Sequence, residues 1–187
     1  KICSRPGSHV YNRALMASMI SALGEAEAEK WARGLVSNLA KRPQGNDRSQ
    51  IKSIYAGECD VAIINHYYYG KLTYSKNPDH RKWAKASTIV FPNQGSNDRG
   101  AHVNISGGGV VKFSKNKELA IKFLEFLVTD EAQILYGDVN FEYPINNKSK
   151  LPARLKALGT FKEDSLLIED IAKIAPKAQE IIDKVYW

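Results

Sequence analysis

Apolar residues along the chain recur at two periods, and the places where one period gives way to the other mark its elements. Leu15, Met16, Met19, Ile20 and Leu23 return at helical spacing, with Ser8 able to cap the run and Gly24 ending it. Residues 25–39 form a second helical stretch with Trp31, Leu35, Val36 and Leu39 on one face and acids early. Asn46 or Asp47 caps a third through Ile51, Ile54 and Tyr55, closed by Gly57. Then the period changes: Val61-Ala62-Ile63-Ile64 is a continuous apolar run, the signature of a strand buried on both faces. Asn65-His66-Tyr67-Tyr68-Tyr69-Gly70 follows it directly, so the tyrosines are expected just beyond a strand's carboxyl end.

After Gly70 the pattern predicts a short helix through Leu72 and Tyr74, a break at Asn77-Pro78 and a helical turn over 80–83. Residues 88–91 read as a strand stopped by Pro92, and the polar, glycine-bearing stretch 93–100 as a hinge or rim loop. Residues 102–106 alternate as a half-buried strand, Gly107-Gly108-Gly109 intervene, and 110–113 are extended. Asn116 caps a helix expected to turn Leu119, Ala120, Phe123, Leu124, Phe126 and Leu127 inward, and Thr129 or Asp130 caps the next. Tyr143 is extended ahead of Pro144. The remainder is helical, weakly over 155–158 and firmly over 165–187, with Pro176 placed as the first residue of a last helix. Strand and helix alternate, which is the mark of an α/β fold with a parallel sheet and flanking helices.

Composition narrows the classes. A chain of 187 residues, 43% hydrophobic and 25% charged, has the balance of a globular protein. The longest apolar helical segment, 120–128, carries Lys122 and Glu125, which rules it out as a membrane span. The net charge of +7 is spread among acids instead of gathered in a stripe, so it argues for attraction of anions or simple solubility and against nucleic acid. Cys3 and Cys59 lack metal-ligand spacing; a disulfide between neighbouring strands and two small buried hydrophobes are equally open readings. Lys1-Ile2-Cys3 reads as a strand with nothing before it, and a fragment of something longer is expected.

Most familiar chemistries fall away. The glycine run lacks the lysine and hydroxyl of a phosphate loop, and an extended piece instead of a helix follows it. His9, His66, His80 and His102 form no paired zinc motif, and no serine sits in a nucleophile elbow. What remains is phenol oxygen: Tyr11 lies just past the first strand's turn, and Tyr67 with Tyr68 just past a later one. A phenol is neutral near pH 7, with a pKa of about 10. A highly charged small cation displaces its proton, and the resulting hard anionic oxygen suits ferric iron. Three aromatics at a rim, with wet tips and apolar bodies, is the competing explanation.

Arg5-Pro6-Gly7-Ser8-His9-Val10-Tyr11-Asn12 and Cys59-Asp60-Val61-Ala62-Ile63-Ile64-Asn65-His66-Tyr67-Tyr68-Tyr69 together resemble the ferric-ion-binding proteins of bacterial iron ABC transporters. Residues 99–110, the helix from Asn116 with Thr129-Asp130-Glu131-Ala132-Gln133, and Glu142-Tyr143-Pro144-Ile145 extend the likeness. The resemblance implies a periplasmic binding protein of two lobes that closes over one ferric ion and delivers it to a transporter permease, without enzymatic activity. It gives ligand roles to Tyr11, Tyr67 and Tyr68 and leaves Tyr69 to packing. For a carbonate or other small anion beside the metal, or for outer contacts to the ligands, it points to Arg5, Ser8 and Asn65. It also implies that 1–100 form a ligand-binding lobe, that 101–145 return to a first lobe whose remainder is absent, and that 146–187 pack back on the ligand-binding lobe. An apolar returning segment without its partners leads to the expectation of a second copy covering it, by dimerisation or swapping. Two rivals stand: a binding protein for another small anion, cation or organic solute, and an enzyme using the glycine run and a rim histidine.

Overall fold

The computed structural model describes residues 1–146 and 148–187, which divide into two compact units, Lys1–Asn104 with Phe161–Trp187, and Ile105–Thr160. In the first unit β1 (Ile2–Cys3) pairs in parallel with β2 (Val61–Ala62), Ile2 opposite Val61 and Cys3 opposite Ala62. On its other side Ile2 forms a parallel bridge with Leu39, so β1 is central and the chain leaves it in both directions. That is the arrangement in which a crevice opens outside the carboxyl ends of the strands.

Helices cover both faces of this short sheet. On one side α1 (Val10–Leu23), α2 (Glu25–Ser37) and α9 (Ile168–Val185) bury Met16, Ala17, Ile20, Ala28, Ala32, Leu35, Ile181 and Ile182 among themselves. On the other, α3 (Asp47–Tyr55), α4 (His66–Thr73) and α5 (Pro78–Lys85) close around Ile51, Leu72 and Ala84. Ile63 packs toward the first group and Ile64 toward the second, the alternation of an extended chain running between two layers. Cys3 and Cys59 are disulfide-bonded with Cα atoms 5.9 Å apart, which resolves the two readings left open by the sequence.

Several expected elements differ. Only Val61 and Ala62 of the apolar run are strand, and α4 begins at His66, so the tyrosine triplet lies in a helix and not in a loop before one. His9, not Ser8, caps α1: its backbone is extended and its side chain accepts the Tyr11 N–H, while Ser8 is exposed in the preceding turn. Pro176 lies inside the continuous α9, whose buried stripe from Ile171 to Val185 outweighs the local cost of the proline. Residues 88–91, 102–106 and 110–113 are not strands, because none has a neighbouring strand to take its backbone hydrogen bonds. The loop 93–100 is anchored: Gln94 exchanges hydrogen bonds with the Lys162 backbone, and Arg99 pairs with Asp164 at 2.5 Å and donates to Ser18 Oγ at 2.6 Å.

The second unit contains α6 (Lys117–Leu127), α7 (Asp130–Leu135) capped by Thr129, a π-helical turn over Tyr136–Asn140, and α8 (Ala153–Lys156). The face of α6 expected to turn inward is open: Leu119 is 68% exposed and Phe123 58%. No helix among the described residues is long and apolar enough to cross a membrane.

Candidate functional site

The carboxyl ends of β1 and β2 each run into a helix, and the first turns of those helices carry the three phenols. After Cys3 the chain makes a tight turn that Asn12 ties down, its Nδ2 donating to Ser4 Oγ, the Arg5 carbonyl and the Pro6 carbonyl at 3.0–3.2 Å. Trp187 Nε1 donates to the same Ser4 Oγ at 3.1 Å. Gly7 presses so closely on α9 and the residues after it that an added Cβ would lie 2.8 Å from Ile182 and Trp187 side-chain atoms. The turn is thereby fixed against the core, and Tyr11 enters α1 from it.

Tyr11 and Tyr67, 56 residues apart in the chain, bring their hydroxyl oxygens to 3.0 Å. The Tyr67 and Tyr68 rings lie 4.2 Å apart at a tilt of 31°. Tyr69 turns away, packs against Ile51, Leu72 and Ala84, and donates its hydroxyl to the Ser87 carbonyl at 3.1 Å. Each ring of the cluster has a cation over its face: Arg5 over Tyr11 at 5.1 Å, Arg48 over Tyr68 and Lys71 over Tyr67 at 5.2 Å.

Ionisation is divided unequally among the three. Burial raises the Tyr67 pKa, and hydrogen bonds to Tyr11 and Tyr68 raise it further, so Tyr67 holds its proton most tightly. Burial also opposes ionisation of Tyr68, but hydrogen bonds from Tyr67, Tyr11 and Arg5 outweigh it and the net shift is downward. At Tyr11 the hydrogen bond from Tyr67 favours the phenolate, yet burial and the neighbouring Tyr68 reverse the balance and raise the pKa. His9 sits edge-on to Tyr11 at 4.5 Å, and burial together with the Arg5 charge lowers its pKa, keeping the imidazole neutral.

Of the outer residues named from sequence, Arg5 is in the cluster, but its guanidinium is engaged by Asp47 at 2.5 Å. Asn65 caps α4; its backbone N–H donates to Asp47 Oδ1 at 2.8 Å and its side-chain oxygen accepts from Asn104 at 3.2 Å. Ser8 faces solvent at the turn. Asp47, 2% exposed at the side chain, was read from sequence only as a helix cap. Its partners are 42 and 18 residues away, and no local pattern announces them.

Residues 16–134 match the model of the family described as bacterial extracellular solute-binding protein. The chain belongs to that family. It is 42% identical over its full length to iron uptake protein A2 of Synechocystis, of which it covers 54%. It is 33% identical over 129 residues to the major ferric iron-binding protein of Neisseria meningitidis serogroup B, covering 69% of this chain and 37% of that protein. Among solved structures, the Trichodesmium protein in complex with iron and citrate superposes on all of the chain at a TM-score of 0.93, with 45% identity and 58% of its own length covered. The fold is that of the iron-bearing Trichodesmium relative, an α/β architecture with a parallel sheet. The chain spans about half the length of the curated relatives it matches. They lend no support to pairing with a second copy.

Proposed function

We propose that this chain is the phenol-bearing part of a periplasmic binding protein that takes up ferric iron and delivers it to the permease of an ABC transporter. Tyr11, Tyr67 and Tyr68 supply phenolate ligands, and a carbonate or other small anion accompanies the metal. The observation that carries the reading is the convergence of phenol oxygens from two helix starts, with Tyr11 and Tyr67 in hydroxyl contact at 3.0 Å. Three phenolates balance a trivalent ion, and hard anionic oxygen is the donor that ferric iron prefers. The solute-binding family, the ferric names of its relatives and the iron-bearing Trichodesmium structure support the same assignment. Lys1–Asn104 with Phe161–Trp187 then act as the ligand-binding lobe, and the segment within Ile105–Thr160 belongs to the other lobe of the longer protein. With Arg5 engaged by Asp47, the outer role of Arg5 and Asn65 is support of the ligands, and contact with the anion falls to the exposed Ser8 and the start of α1.

Titration with ferric citrate tests this directly. A phenolate-to-iron charge-transfer band should grow in the visible with wild type and be lost or strongly weakened with Tyr67→Phe. Equal, colourless titrations of both proteins would reject the ferric assignment for this chain.

A further inference from the structure

We propose that Asp47 is the positioning residue of the phenol cluster, a single carboxylate that sets both segments from which the phenols come. The inference rests on the ferric reading above for its binding consequence, but its geometry stands without iron. Asp47 Oδ2 accepts from Arg5 Nη1 at 2.5 Å, and Oδ1 accepts from the Asn65 backbone N–H at 2.8 Å. The first bond governs the Tyr11 side of the site. Arg5 follows β1, and its guanidinium stands 5.1 Å over the Tyr11 ring. The second governs the other side, because Asn65 is the cap of α4 and Tyr67 and Tyr68 are the next residues but one and two.

The environment of this carboxylate fits a geometric duty. Its side chain is 2% exposed and that of Arg5 14%, so the pair is largely removed from water. Buried pairs of this kind seldom repay their desolvation in stability when compared with apolar packing. Arg5 Nε is buried with no hydrogen-bond partner among the described residues, so the guanidinium is not oriented to saturate its own donors. It is oriented by Asp47, toward the phenols. The carboxylate lies in the first turn of α3, where the helix dipole favours negative charge. Removing that charge releases a cation beside oxygens that must become anionic and weakens the acceptor that holds the Asn65 N–H at the start of α4.

Asp47→Asn keeps the size of the side chain and one carbonyl acceptor but loses the charge that holds Arg5. Ferric citrate titrations of wild type, Asp47→Asn, Arg5→Met and the double variant should show at least tenfold weaker binding for each single substitution, in the range usual for supports of metal ligands. The double variant should be less than threefold worse than either single one. The visible maximum should move with Asp47→Asn, while the near-ultraviolet circular dichroism of the Trp31–Trp187 edge-to-face pair stays that of wild type. Tyrosine ring signals in metal-free NMR spectra should shift at Tyr11 and at Tyr67 or Tyr68 together. Binding by Asp47→Asn within twofold of wild type, multiplying effects in the double variant, or ring shifts confined to one segment would overturn the proposal. A colourless wild type would reject the ferric reading instead, and the NMR comparison would then decide on Asp47 by itself.

Discussion

Cutting the Cys3–Cys59 bond should cost unit one about 4 kcal/mol and loosen the site with it. The cysteines are 56 residues apart, and the entropy of closing a loop of that length in the unfolded chain corresponds to about 4 kcal/mol. Both side chains are buried, at 1% and 4% exposure, so Cys3→Ala with Cys59→Ala adds a small packing loss to that figure. All three tryptophans, Trp31, Trp83 and Trp187, fall within Lys1–Asn104 and Phe161–Trp187, and their fluorescence follows this unit alone. With a urea m-value of about 2–3 kcal/mol/M, the midpoint should fall by roughly 1.3–2 M. The bond joins β1 to the residue ahead of the approach to β2, and the two chains leaving those strands carry Arg5 with Tyr11 and Asn65 with Tyr67. Ferric binding should therefore weaken in the double variant even in the absence of urea. A fall in stability below about 1 kcal/mol, or the same midpoint for wild type with and without a reducing agent, would refute the loop-entropy reasoning.

Two further substitutions separate packing from binding. Tyr69→Phe removes the hydrogen bond to the Ser87 carbonyl and should lower unit-one stability by about 1 kcal/mol in a urea melt while leaving the ferric titration unchanged. In Ile105–Thr160, burial pushes the Tyr143 phenol up to about 12 from its ordinary 10.0. Above pH 10 the unfolded chain releases this proton and the folded one keeps it, so the contribution of Tyr143 is intact below pH 10 and disappears as pH rises through 12. Calorimetry should show Tyr143→Phe melting below wild type at about pH 9, with the gap closing as the pH rises toward the shifted value.

Helices were the most legible part of the sequence, because their signal is local. The stripes of α1, α2 and α3, and the caps Asn46 and Thr129, lie within a few residues of one another. Strands 88–91, 102–106 and 110–113 carried the right residue types but lacked neighbours, and neighbours are a property of the whole chain. Gly70 was read as the boundary after the triplet, whereas it is buried inside α4, where tertiary packing overrides its low helix propensity. The phenols could be named from residue type and resemblance; the carboxylate that binds their two segments could not. Nothing near Asp47 distinguishes a helix-start acid from the partner of Arg5 and of the Asn65 backbone.

Placing the triplet in a helix instead of a loop also changes the electrostatics proposed for the site. Tyr11 lies in the first turn of α1 and Tyr67 and Tyr68 in the first turn of α4, and the two helices start at the same edge of adjacent parallel strands. A helix start presents unpaired N–H groups and partial positive charge, which favours anions in its first turn. Arg48 and Lys71 over the rings add to that field, while Asp47 offsets Arg5. A phenol in a loop would meet burial alone, which holds its proton on. Here burial raises the Tyr67 pKa, whereas at Tyr68 the same burial is outweighed by hydrogen bonds from Tyr67, Tyr11 and Arg5, and the helix starts and ring-facing cations add a field of the same sign as those bonds. On the proposed ferric reading the protons a trivalent ion must displace are accordingly not equal: the downward shift at Tyr68 eases loss of its proton and the upward shift at Tyr67 opposes it, so Tyr67→Phe removes a proton that the metal would have to displace against burial.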